Sequence, residues 1–179
     1  PARAGHRAST QEPTDQRNWM TVTSVDTDYH NLTITLIADF DAPIEQVWDL
    51  WSDPRKLERW WGPPTHPATF EKYDLIPGGE ATYFMTGSEG AMWGAWRVAA
   101  VDPPTSLEFT NAFADTNGTP IADMPVFTVR VRLTERSDGG TRMEMHSRFE
   151  SHEDMERMVN MGTVDGLQRA VGQIDGLLA

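Results

Sequence analysis

"LTITLIADFDAPIEQVWDLWSDPRKLERWWGPP", residues 32 to 64, reads as one strand followed by two short helices, and that order decides the architecture. Leu32, Ile34 and Leu36 alternate with threonines in the period of a half-buried strand, which ends at Asp41. Pro43 suits the first turn of a helix, where its missing N–H would be unpaired anyway. Ile44, Val47, Trp48 and Trp51 then recur at i, i+3, i+4 and i+7, one apolar face of two turns. Asp53 as N-cap and Pro54 as first helical residue restart the chain as a second helix, and "WGPP" stops it. Trp48 and Trp51 are expected to fill a core. Trp60 and Trp61 stand at a helix end where a loop turns away, a place that suits either a core or a pocket mouth.

Beyond this segment, residues 68 to 149 carry only strand and turn signals. "ATFEKYDLI", "EATYFMT", "AMWGAWRVAAV", "LEFTNAF", "VFTVRVRLTER" and "TRMEMHSRF" are separated by "PGG", "GSEG", "DPPTS", the polar loop "ADTNGTPIAD" and the hairpin turn "SDGG". The pattern predicts an antiparallel meander of six strands. Val129, Val131 and Leu133 share one face and Arg130 and Arg132 the other, so one side of the sheet is wet. By the same alternation Met143, Met145, Ser147 and Phe149 face inward.

The last stretch, "SHEDMERMVNMGTVDGLQRAVGQIDGLLA", opens with Ser151 as a cap and predicts a helix over 152–178, about 40 Å long. Its apolar stripe runs Met155, Val159, Gly162, Gly166, Ala170, Ile174, Leu177, with Met158, Leu167 and Val171 at the borders. Glycine inside a helix costs roughly 1 kcal/mol relative to alanine. Gly162 and Gly166 nevertheless fall on the stripe, which implies close packing, a kink, or a cavity under the middle of the helix.

Composition excludes several classes. The chain has 179 residues, enough for one domain that buries roughly two thirds of its unfolded surface. Residues 1 to 18 lack Val, Ile, Leu, Phe, Trp and Tyr and read as a disordered leader, leaving 19–179 as the domain. There is no cysteine, hence no disulfide, thiolate metal site or cysteine nucleophile. His146 and His152 lack suitable carboxylate spacing, so no metal is expected. Nor is a cofactor expected, for no phosphate-binding glycine loop or serine elbow is present. A net charge of −12 disfavours nucleic acid and anionic membranes, and no apolar run is long enough to span a bilayer. The expected location is cytoplasmic. The sequence leaves monomer and homodimer both open.

Strand, two short helices, meander and long terminal helix is the order of the helix-grip fold, α+β, a curved antiparallel sheet of about seven strands wrapped on its C-terminal helix. "APIEQVWDLWSDPRKLERWWGPP", "DLIPGGEATYFMTG", "WRVAAVDPPTSLEF", "GGTRMEMHSRF" and "GLQRAVGQIDGLLA" occur in the order of signature segments. Over residues 32 to 179 the chain thus resembles the bacterial domains homologous to the C-terminal domain of the heat-shock-ATPase activator co-chaperone. That family lies in the START-like, birch-pollen-allergen-like superfamily. The resemblance implies a cavity between sheet and helix that holds lipids, steroids, polyketides or aromatic compounds, with cyclisation or hydration in some members. It carries over no catalytic residue. One departure is Ile76 in "DLIPGG", where the family usually has arginine.

Alternation then nominates a cavity wall: Tyr83 and Met85 on one strand, Trp96 on the next, Asn111 and Phe113 on the third, Met145 and Ser147 on the last. Met158, Gly162 and Gly166 would lie above, with Trp60 and Trp61 at the mouth. Such a lining, apolar with a few polar groups, suits a small, largely apolar ligand, and it also describes a slightly polar core. Glu71, on the strand face of Tyr73, is the candidate acid or base if it faces inward, where burial would raise its pKa; a single bulge would turn it to water. His66, beside the paired tryptophans, is the other candidate. Two readings of a different class stand beside ligand binding: an interaction module assisting a chaperone ATPase, and a polyketide-cyclase or hydratase type enzyme.

Overall fold

A computed structural model describes residues 21–178. The leader lies outside the described residues. The sheet has eight antiparallel strands: β1 (Val22–Asp28), β2 (Thr33–Phe40), β3 (Ala68–Tyr73), β4 (Glu80–Gly87), β5 (Gly90–Asp102), β6 (Ser106–Ala114), β7 (Val126–Glu135) and β8 (Thr141–Phe149). Their spatial order is β1-β2-β8-β7-β6-β5-β4-β3. Between β2 and β3 run α1 (Ile44–Ser52) and α2 (Pro54–Leu57), and the chain closes with α3 (His152–Asn160), α4 (Thr163–Gly172) and a 3-10 turn, Asp175–Leu177. The helix-grip architecture expected from the sequence is therefore present, with two differences.

The first is an eighth strand. β1 pairs with β2 from Val22 to Asp28, whereas the first strand was expected to begin at Leu32, which instead sits in the connecting turn with φ 57°. β1 was illegible because it lies at the sheet edge with Val22 and Val25 three apart and both only half-buried, so no period-2 signal exists.

The second is a broken terminal helix. The expected continuous helix over 152–178 ends at Asn160 and restarts at Thr163, because Gly162 adopts the left-handed conformation, φ 84° and ψ 20°. Glycine alone enters that region without a steric penalty. α3 and α4 consequently pack into different parts of the core. Met155 and Met158 of α3 join Ile34 and Phe149, while Val171 of α4 and Ile174 join the main cluster with Leu36, Phe40 and the tryptophans.

The caps follow the sequence. Ser151 Oγ accepts from the Asp154 N–H at 3.1 Å and Asp53 Oδ1 from the Arg55 N–H at 2.9 Å. α2 is clamped on the edge strand β3: the Arg55 guanidinium donates to the Phe70 carbonyl (2.6 Å), and the Phe70 N–H donates to Glu58 (3.1 Å). This clamp sets the position of the Trp60–Trp61 pair. No helix among the described residues is long and apolar enough to cross a membrane.

Candidate ligand pocket

A pocket of about 310 Å³ lies between the sheet and the α3–α4 break. β4 contributes Tyr83 and Met85, β6 contributes Asn111 and Phe113, and β8 contributes Met145 and Ser147. Met158, Met161, Gly162, Gly166 and Leu167 form the roof. Trp61, Pro63 and His66 form one side, and Met92 and Met161, each about half exposed, mark the mouth. Gly162 and Gly166 both line the pocket, and a β carbon built at either meets nothing within 4 Å.

The polar part of the wall is small and ordered by a neighbouring glycine. Tyr83 faces Gly94 across the β4–β5 ladder. A β carbon at Gly94 would lie 2.3 Å from the phenol ring carbon Cζ, so only glycine lets the ring lie across β5. The Tyr83 hydroxyl thereby reaches β6 and donates to Asn111 Oδ1 at 3.0 Å. Burial pushes the phenol pKa up, partly offset by the indoles of Trp61 and Trp96 and by Asn111. Neither indole N–H reaches hydrogen-bond geometry with any partner, though both are buried. Among the described residues Asn111 Nδ2 and Ser147 Oγ also make no hydrogen bond, and both residues are more than nine-tenths buried on the pocket wall.

Of the residues nominated from the sequence, the structure brings Trp61, Tyr83, Met85, Asn111, Phe113, Met145, Ser147, Met158, Gly162 and Gly166 to this one wall, with His66 at the rim. His66 packs against Gly87, and its Nδ1 lies 2.7 Å from Thr65 Oγ1. Three residues lie elsewhere. Trp60 is fully buried in the core, its N–H donating to the Leu50 carbonyl at 3.0 Å. Trp96 is stacked on Phe109 at 3.8 Å, one layer behind the wall. Glu71 is exposed, because the β3–β4 register skips from Phe70 to Lys72 and the bulge turns its carboxylate outward. It cannot act as an acid or base inside this pocket.

Sequence reasoning missed Phe127, Met92, Met161 and Leu167. Phe127 shares the inward parity of Val129 and Val131, so its signal was available. Met161 reaches the pocket only because the helix breaks beside it.

The family profile described as Activator of Hsp90 ATPase homolog 1-like protein matches residues 41–179. The chain belongs to this family. Among solved structures, a protein from Mycobacterium smegmatis is 44% identical to this activator-homologue domain, with TM-score 0.82, covering 88% of this chain and 97% of its own. Another from Arthrobacter aurescens is 45% identical, with TM-score 0.83, covering 88% and 92%. A Staphylococcus epidermidis protein at 22% identity, with TM-score 0.75, covers 87% and 93% and shares the fold. No curated protein matches this member of the activator-homologue family in sequence.

Proposed function

We propose that the domain binds a small, largely apolar molecule in the pocket between the strands and the α3–α4 break. The observation that carries this reading is the pocket itself, bounded by Gly162 and Gly166 on one side and by residues of β4, β6 and β8 on the other, where a helix resting flush on the sheet would leave none. The volume of about 310 Å³ falls at the lower end of small-molecule sites, about 300–1,000 Å³. Five methionines, Met85, Met92, Met145, Met158 and Met161, supply an adaptable apolar wall. No Asp, Glu, Lys or Arg lines the pocket, which favours an uncharged guest, since a buried unpaired charge is costly.

Titration with naphthalene and with a medium-chain acyl ester, followed by calorimetry and by the fluorescence of Trp61 and Trp93 at the wall, tests the reading. Saturable one-to-one binding is expected in the wild type and its loss in Gly166→Leu, which fills the pocket from the roof. Absence of saturable binding across such a panel defeats the proposal.

Binding is favoured over turnover because Tyr83 and His66 are the only titratable side chains on the wall and Glu71 points to solvent. Chaperone-ATPase activation needs a contiguous partner surface. The large exposed apolar side chains Tyr29, Ile76 and Ile121 come from separate segments, and Met92 and Met161 belong to the pocket mouth.

A further inference from the structure

The recess between α1, α2 and the C-terminal turn, with Asp49, Lys56 and Arg59, holds an exposed ion pair at 3.7 Å and no buried polar group. Two polar side chains of the pocket wall, Asn111 and Ser147, point to a ligand chemistry.

The hydrogen of the Tyr83 hydroxyl has a defined direction. A hydroxyl has a single hydrogen, and the Tyr83 hydroxyl donates it to Asn111 Oδ1 at 3.0 Å. Asn111 thus turns its carbonyl to Tyr83 and its Nδ2 away. A side-chain amide is otherwise free to flip. Gly94 permits this arrangement, since any side chain at that position would collide with the phenol.

On the reading that the pocket binds a small apolar molecule, we propose that its ligand is an uncharged carbonyl compound, seated with the carbonyl oxygen on Asn111 Nδ2 and within reach of the Ser147 hydroxyl. Both groups are donors on a largely apolar wall, and both residues are more than nine-tenths buried. A guest that covers these donors without offering an acceptor leaves them unpaired, which is penalised, so a guest that supplies an acceptor is selected over one of equal shape that does not. A carboxylate is disfavoured because no Lys or Arg lines the pocket to balance it. Tyr83 is a positioning residue in this role, acting by fixing the amide.

The test compares three probes of nearly one shape by calorimetry on the intact chain: 2-acetylnaphthalene, 2-isopropenylnaphthalene and 2-naphthoate. The ketone is expected to bind about tenfold to a hundredfold more tightly than the hydrocarbon, and more tightly than the carboxylate. Asn111→Leu should abolish the ketone preference. Tyr83→Phe, which preserves shape, should reduce the preference of ketone over hydrocarbon, whereas general loosening of the pocket would weaken both guests alike and leave their ratio in place. Equal binding of ketone and hydrocarbon by the wild type overturns this inference but leaves apolar binding standing. Tighter binding of 2-naphthoate than of the ketone also overturns it. Failure of all three probes to bind overturns the binding reading itself.

Discussion

Replacing Gly94 with alanine should destabilise the protein, although alanine is ordinarily the better residue in a strand by about 0.5–1 kcal/mol. The new β carbon would stand 2.3 Å from Tyr83 Cζ and 2.4 Å from its hydroxyl oxygen. Comfortable carbon contacts begin near about 3.5 Å, so the ring must retreat by roughly 1 Å. It has little room, with Phe70 at 5.0 Å and Trp61 at 6.1 Å between ring centroids. Retreat breaks the 3.0 Å bond to Asn111 and leaves a buried carbonyl unpaired, at about 1–3 kcal/mol. Overpacking adds about 1–3 kcal/mol. After the strand gain is subtracted, the expected net loss is about 3 kcal/mol, or roughly 6–12 °C in melting temperature for a domain of this size. Thermal and urea unfolding of wild type, Gly94→Ala, Tyr83→Ala and the double variant measure it. With the phenol gone, the Gly94 substitution should become neutral or stabilising, a coupling that a general effect on the strand would not give. Gly94→Ala at or above wild-type stability would refute the reasoning.

Three further outcomes are expected. Gly166→Ala should stabilise the protein by about 0.5–1 kcal/mol in urea titrations, since the methyl meets open space in a helix interior, whereas Gly162→Ala should destabilise it by about 1–2 kcal/mol because of the left-handed backbone there. The Arg142 guanidinium, bonded to both Asp39 oxygens at 2.9 and 3.0 Å, holds that carboxyl below its ordinary range. The stability it contributes is therefore present above about pH 4 and lost as the pH falls through the depressed folded value; Asp39→Asn should flatten the acid limb of a stability-against-pH curve. Burial pushes the Tyr73 and Tyr83 phenols up, so these groups stay protonated in the native state where the unfolded chain ionises near about pH 10. Stability should fall as the pH rises beyond that point, and absorbance titration should show both phenols ionising together with unfolding rather than before it.

Much of the fold could be read because its signals are local. Val129, Val131 and Leu133 alternate cleanly with arginines, Pro43 and Pro54 mark two helix starts, and Ser151 caps α3. β1 escaped because an edge strand with one face wet and its apolar residues three apart has no periodic pattern to detect. The helix break was half legible. Glycines on an apolar stripe signalled a kink or a gap, but only the coordinates reveal that Gly162 is left-handed and Gly166 helical. At the pocket, strand parity correctly grouped Tyr83, Asn111, Met145 and Ser147, because residues i and i+2 share a face wherever the register is regular. It misjudged Glu71, where a bulge shifts the register, and Trp96, which has inward parity but is covered by other rings. Trp60 and Trp61 are adjacent and chemically identical. Their division between core and pocket depends on the α2 clamp and on the Gln173 side chain, which donates to the Gly62 carbonyl at 2.7 Å, tertiary contacts that no local pattern encodes.

A crystal structure of the protein grown with 2-acetylnaphthalene tests the central claim most directly. The account predicts electron density for one guest beneath Gly162 and Gly166, its rings against Trp61 and the methionines and its carbonyl oxygen at hydrogen-bond distance from Asn111 Nδ2. A pocket closed by its own side chains, with the roof seated on the strands and no guest at saturating concentration, would contradict it.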